Sequence, residues 1–157
     1  MIEFLKYIRL TGYEILAIGI TSAFLAQVLK FIIFTLQTRK INFKIFTTTG
    51  GMPSSHSAGV IGLSTCVGLI EGFDSMFFAI ALSYALVTMY DATGIRRNAG
   101  KTAACLNRVM EDFYHHDTSL IGERLKELLG HTPIEVIAGA LFGIVWAVYA
   151  HQYLLSI

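Results

Sequence analysis

The sequence predicts an all-α integral membrane protein: a bundle of about four transmembrane helices, with a short amphipathic helix in a long polar loop. Three observations point there. The chain is 54% hydrophobic and only 15% charged, with a mean hydropathy of +0.60, whereas soluble domains average about 45–50% apolar and roughly 25% charged residues. Four apolar stretches approach the roughly 20 residues that a bilayer crossing requires. The Lys and Arg residues also fall mostly on one side of the topology those stretches create, as the positive-inside bias demands. A length of 157 residues suits a single domain over 1–157.

The first span is expected over residues 13–36, "YEILAIGITSAFLAQVLKFIIFTL", interrupted only by Gln27 and Lys30 near its end. It runs well past the roughly 7–15 apolar residues of a secretion signal and carries no small-residue cleavage site, so it reads as a span. The second runs over about 54–70, after "GGMP". The third, over 75–90, is short, and "EGFD" at 71–74 joins it to the second as a tight hairpin. The fourth covers 133–155. Between the third and fourth lies a polar segment, 91–132, in which "SLIGERLKELLG" (119–130) has the pattern of a short amphipathic helix stopped by Gly130. There is no internal repeat and no low-complexity tract.

Four spans put the N-terminus, the 71–74 turn and the C-terminus on one side, with Lys6 and Arg9. Arg39, Lys40, Lys44, Arg96, Arg97, Lys101, Arg108, Arg124 and Lys126 fall on the other. The expectation is therefore a multi-pass protein of the cell's inner membrane with both polar segments in the cytoplasm. A net charge of +1 argues against nucleic acid as a partner, since such proteins carry a strongly basic face. Cys66 and Cys105 lack any Cys-x-x-Cys spacing and read as free thiols.

Polar residues inside such a chain are where function is sought. "GGMPSSHSAGV", Gly50 to Val60, opens the second span. Pro53 with Ser54 and Ser55 is an ordinary helix start, and the unpaired N–H groups of a first turn also make an anion site. His56 adds a titratable donor beside it. In "YDATGIRRNAGKTAACLN" (90–107), Arg96 and Arg97 are planar, permanently charged forks suited to phosphate. Taken alone they also fit a topology or headgroup role, although Gly94 and Gly100 bracket them as in a shaped loop. His131 and Glu135 are four apart, so a carboxylate can hold one imidazole nitrogen and leave the other free to attack or to transfer protons. Gly139 and Gly143 continue that stripe and allow close helix packing, which turns the His–Glu face inward. Lys30 in isolation reads as a lysine snorkelling to the interface. "HHD" (115–117) reads as solvated loop rather than a metal site.

Lys30, Ser54–His56, Arg96–Arg97 and His131–Glu135 nonetheless all fall at the same membrane face. Cations, a helix N-terminus and two histidines there compose a phosphate pocket with a nucleophile and an acid.

The motifs resemble a known family. "PSSH" resembles the Pro-Ser-Gly-His motif of the type 2 phosphatidic acid phosphatase and vanadium haloperoxidase superfamily, and His131 with Glu135 resembles its His-x3-Asp motif. "GGMPSSHSA", "YDATGIRRNAGK", "LN" and "LGHTPIEVIAG", in order between Gly50 and Gly143, are similar to the divergent branch of that superfamily. The resemblance implies that His131 attacks phosphorus to form a phosphohistidine, that Glu135 orients it, and that His56 protonates the leaving oxygen. Phosphate would be held by Lys30, Ser54, Ser55, Arg96 and Arg97, with backbone N–H groups of Ser54 and Ser55. No metal and no cofactor are implied. Ser55 stands where the superfamily has glycine and Glu135 where it usually has aspartate. The Lys and Arg-Pro first motif is absent, and Leu125 occupies the place of the Ser-Arg pair before the nucleophile.

The expected activity is hydrolysis of a lipid phosphate monoester or a polyprenyl-type diphosphate by a membrane phosphatase. The alternative is a non-enzymatic binder or transporter of anionic lipid that keeps the pocket. Expected partners are the phosphorylated lipid substrate and membrane lipids, and the glycine stripes point to a homodimer.

Overall fold

The structure, a computed structural model, describes residues 2–46, 50–113 and 130–157, with backbone alone for residues 2, 44, 96, 97 and 111–113. Its elements are α1 (Ile2–Ile8), α2 (Gly12–Thr38), a 3₁₀ turn (Phe43–Phe46), α3 (Ser55–Glu71), α4 (Met76–Thr93), α5 (Ile95–Phe113) and α6 (Pro133–Ser156). The expected spans match α2, α3, α4 and α6 to within a few residues. The amphipathic helix expected at 119–130 and the 115–117 cluster lie outside the described residues. Among the described residues, three runs are long and apolar enough to cross a membrane: Gly12–Thr38, Met76–Met110, whose apolar part is α4, and Pro133–Ser156.

The polar segment differs from expectation. Residues 95–113 form α5, a 19-residue helix, where the sequence pattern predicts a loop shaped by Gly94 and Gly100. Gly94 caps α4 through its N–H to the Tyr90 carbonyl (2.9 Å), and its own carbonyl accepts from Asn98 N–H as α5 begins (3.0 Å). Gly100 and Asn107, two turns apart, are buried while Lys101 and Arg108 are exposed. Apolar and charged residues in this segment alternate strongly at a helical period; the two glycines, which favour turns, are what point to a loop.

The shortest of the four helices that match the expected spans is the central one. α3 has 17 residues, about 26 Å at 1.5 Å per residue, and packs against α2, α4 and α6, leaving only His56 and Glu71 exposed at its two ends. Small residues allow this approach. A Cβ on Gly19 of α2 would lie 3.0 Å from the Leu63 Cβ, and one on Gly59 of α3 3.1 Å from the Ala23 Cβ. On the other flank, a Cβ on Gly143 would lie 2.9 Å from the Gly62 backbone nitrogen. In lipid, where apolar burial between helices gains little, such backbone-to-backbone packing supplies the association energy. The hairpin to α4 turns at Gly72, whose φ of +94° suits glycine, with Ser75 capping the next helix through the Phe78 N–H.

α2 and α6 run antiparallel and bury matching stripes. On α2 the fourfold-spaced residues Glu14, Ile18, Ser22, Ala26 and Lys30 are all buried. On α6 the corresponding stripe is Glu135, Gly139, Gly143, Ala147 and His151, with all but Glu135 buried. The ionisable ends are sixteen residues apart on each helix (30 − 14 and 151 − 135), a rise of about 24 Å, so an ionisable pair meets at each end of the bundle. At the end far from the site, His151 Nδ1 lies 2.6 Å from Glu14 Oε1, and Leu10 N–H donates to Glu14 Oε2 at 2.6 Å. Glu14 is fully buried. The motifs do not single out this pair, although a carboxylate at the start of a span and a histidine near the end of another were the available signal.

A side chain at Gly143 must displace backbone rather than a flexible side chain. Gly143→Val is expected to cost about 1–3 kcal/mol as overpacking and to lower the thermal unfolding midpoint in detergent. Gly12→Ala, where no atom lies within 4 Å of the new Cβ, is the control expected to leave it unchanged; equal midpoints for the two variants would contradict this packing.

Candidate functional site

Both prolines of the chain stand at the start of a histidine-bearing segment, Pro53 before α3 and Pro133 at the first position of α6. Proline suits these places because a first-turn N–H has no intrahelical partner to lose. The Met52–Pro53 peptide bond is cis, and α3 begins two residues later than a proline-first helix would, with Ser54 as its N-cap. The Ser54 hydroxyl accepts from Ser57 N–H at 3.4 Å and lies 3.1 Å from the Ser57 hydroxyl, with both side chains fully buried. Ser54 N–H donates to the Glu135 carbonyl at 3.0 Å. Ser54 is therefore engaged in capping α3 and tying it to α6. Ser55, half-buried, and His56, exposed, form the open part of that turn.

His131 precedes α6 rather than lying on it. Thr132 is the N-cap and Glu135 the third helical residue of a capping box: the Thr132 hydroxyl accepts from Glu135 N–H (3.4 Å) and the carboxylate accepts from Thr132 N–H (3.3 Å). The Thr-x-x-Glu pattern "TPIE" carries that signal in the sequence. The His–Glu contact expected from helical spacing is present, with His131 Nδ1 3.0 Å from Glu135 Oε2, but it is made across the cap. His131 N–H donates to the Ala92 carbonyl of α4 at 3.1 Å, and the residue is only 4% exposed. A third donor reaches the same carboxylate oxygen, the Gly51 N–H at 3.2 Å.

Gly51 also brings in the lysine. Its φ is +89°, and a Cβ there would fall 2.9 Å from the Lys30 Cε, so the Lys30 stem lies directly against the loop. Lys30 is 4% exposed, and the Glu135 carboxylate lies near enough to act on its ammonium. A snorkelling lysine would reach outward; this one is folded under Gly51 toward the carboxylate. The His56 and His131 rings meet edge to face, with centroids 6.2 Å apart.

His131, Glu135, His56, Ser54, Ser55 and Lys30 are thus gathered at one end of the bundle from α2, α3, α6 and the loops before them. Arg96 and Arg97 lie in the first turn of α5, just beyond the α4 end that holds His131, with no acidic residue in that turn; their side chains are outside the description. Thr132 and the Ala92 carbonyl are positioning groups that the motifs do not single out; Gly51, within the first motif, is a third. A cleft of about 300 Å³ lined by Ile15, Val67, Glu71 and Phe77 lies at the opposite end and contains none of these residues.

A small helical membrane protein that embeds a histidine–carboxylate pair beside a lysine and a second histidine defines a class: membrane proteins with a compact polar site at one end of a glycine-packed bundle. The chain belongs to the Divergent PAP2 family, whose profile matches residues 12–146. It is 44% identical over 145 residues to a protein of Bacillus subtilis (strain 168) described as the uncharacterized membrane protein YuiD, covering 86% of this chain and 91% of the relative. No solved structure matches the chain.

The three donors at Glu135 fix the imidazole tautomer. With the carboxylate accepting at Nδ1, neutral His131 is expected to carry its proton there and leave Nε2 as the bare nitrogen. Nitrogen-15 spectra of labelled protein at alkaline pH should show His131 as the Nδ1–H tautomer, and Glu135→Gln should shift it toward a mixture. A predominantly Nε2–H tautomer in the unaltered protein would contradict this geometry.

Proposed function

We propose that this protein is a membrane phosphatase that hydrolyses a lipid phosphate monoester or diphosphate through a phosphohistidine, at the cytoplasmic face of the cell's inner membrane. The observation that carries the reading is the held imidazole: Glu135 engages His131 Nδ1 at 3.0 Å while the His56 ring stands 6.2 Å away across the site. In the first step the Nε2 lone pair of His131 attacks phosphorus, the bond from phosphorus to the leaving oxygen breaks, and His56 gives that oxygen a proton. In the second, water attacks the phosphohistidine, His56 takes the water's proton, and orthophosphate leaves with His131 restored. Two such steps call for no metal and no cofactor.

Lys30, Ser55, Arg96 and Arg97 bind the phosphate oxygens in this scheme, and Ser54 supports them by capping α3. Neither α3 nor α5 has an acidic residue in its first turn, so both positive helix ends are available to an anion. The cytoplasmic placement follows from the nine-to-two bias of Lys and Arg toward the site's side.

The second reading, a binder or transporter of anionic lipid without turnover, is favoured by one observation: the Ser54 hydroxyl and N–H are both used within the protein, leaving fewer groups for a transition state.

Phosphate release from phosphatidate, phosphatidylglycerophosphate and polyprenyl diphosphate in detergent separates the two. Release from at least one is expected, unchanged by EDTA. His131→Ala is expected to abolish it, and His56→Ala to lower it by about 10²–10⁴, the usual contribution of a general acid. Release from none of them, or release indifferent to His131→Ala, overturns the phosphatase reading.

A further inference from the structure

We propose that residues 39–46 form a preorganised interfacial foot that binds the anionic phospholipid surface beside the site. The chain reverses at Arg39, which has φ +53° and donates its N–H to the Thr35 carbonyl at 2.9 Å. The following residues fold back along α2. Gln27 Nε2 donates to the Ile45 carbonyl at 2.9 Å, and Ile45 is buried. Phe31 stacks on both Phe43 (centroids 5.7 Å apart, 17° between planes) and Phe46 (5.2 Å, 28°). This segment is therefore pinned to the bundle by a hydrogen bond and an aromatic stack.

What it presents outward is apolar and basic together. Ile41 is 70% exposed and Phe43 72%, and Arg39 and Lys40 beside them are also exposed. Lys44 adds a third cation to the segment. Over residues 15–70 the chain carries Lys30, Arg39, Lys40 and Lys44 and no Asp or Glu. Exposed apolar side chains on a rigid support call for a cover, and charge complementarity selects it: a layer with an acyl boundary for Ile41 and Phe43 and negative headgroups for Arg39 and Lys40. Anionic phospholipid supplies both. Phe31 directly follows Lys30, so the foot and the site's lysine are carried by the same turn of α2. The foot holds whether or not the site hydrolyses anything, since its test reads lipid contact alone.

The chain has one tryptophan, Trp146. Phe43→Trp in a Trp146→Phe background places a single fluorophore on the foot. It is reconstituted in vesicles of phosphatidylglycerol and phosphatidylcholine, with first one lipid and then the other brominated. Quenching is expected to show phosphatidylglycerol enriched at position 43 over the bulk mixture by about fivefold or more, the gain of one cation near such a surface. Arg39→Gln with Lys40→Gln, or high salt, should return it to the bulk ratio. Native mass spectrometry of the otherwise unaltered chain provides a second readout. It should retain phosphatidylglycerol in preference to phosphatidylcholine, and lose that preference in the double variant. Quenching by neither lipid, as a covering protein or a second copy of the chain would produce, overturns the proposal. So does quenching at the bulk ratio, or an enrichment that survives the double variant.

Discussion

One carboxylate oxygen, Glu135 Oε2, organises the end of the bundle where the polar residues collect. It takes His131 Nδ1 at 3.0 Å, Gly51 N–H at 3.2 Å and Thr132 N–H at 3.3 Å, and it faces the buried Lys30. Those contacts come from the α6 cap, the loop before α3 and the end of α2. A partly buried charge gains most when it is paired and hydrogen-bonded, and here each partner that satisfies the carboxylate is also placed by it. Aspartate, usual in the wider superfamily that the motifs resemble, is one methylene shorter, and the Glu135 reach is what allows the carboxylate to bend back over its own helix start to Thr132.

That arrangement requires α3 and α6 to touch, which is the role of the small residues between them. Gly139 meets the Ser54 backbone, and Gly143 meets Ala58 and Gly62. Ser54 N–H then bonds to the Glu135 carbonyl, so the backbone carrying His56 is fastened to the residue that orients His131. At the far end the Glu14–His151 pair closes the same two helices, α2 and α6, over an equal number of turns. The bundle is thereby held in register by an ionisable pair at each end, with the short α3 between.

The spans were legible because apolar runs of 17–27 residues approach or exceed the length of a bilayer crossing and carry too few polar groups to face water. The gathering of candidate residues at one end of the bundle was legible because His56, His131 and Glu135 stand at or beside helix starts. Helix capping was less legible. Pro53 suggests a helix starting at the proline, but Ser54 takes the cap, and His131 has the spacing of a helix face although Thr132 intervenes. Gly51 stands in the first motif, but its backbone meets Lys30 and Glu135, 21 and 84 positions away in sequence. Such contacts are tertiary and leave no local periodicity. α5 was legible in the strong helical period of its apolar and charged residues, but Gly94 and Gly100, read as turn residues, point to a loop instead.

In the proposed chemistry everything converges on the bare nitrogen of His131. The central claim is that this nitrogen becomes covalently phosphorylated, and rapid quenching in alkali during turnover of a phosphorus-32-labelled lipid phosphate reads it directly. The account predicts an alkali-stable, acid-labile phosphoprotein whose label maps to the peptide containing His131 and disappears in His131→Ala. Turnover with no label on that peptide, or with label on another residue, would contradict it.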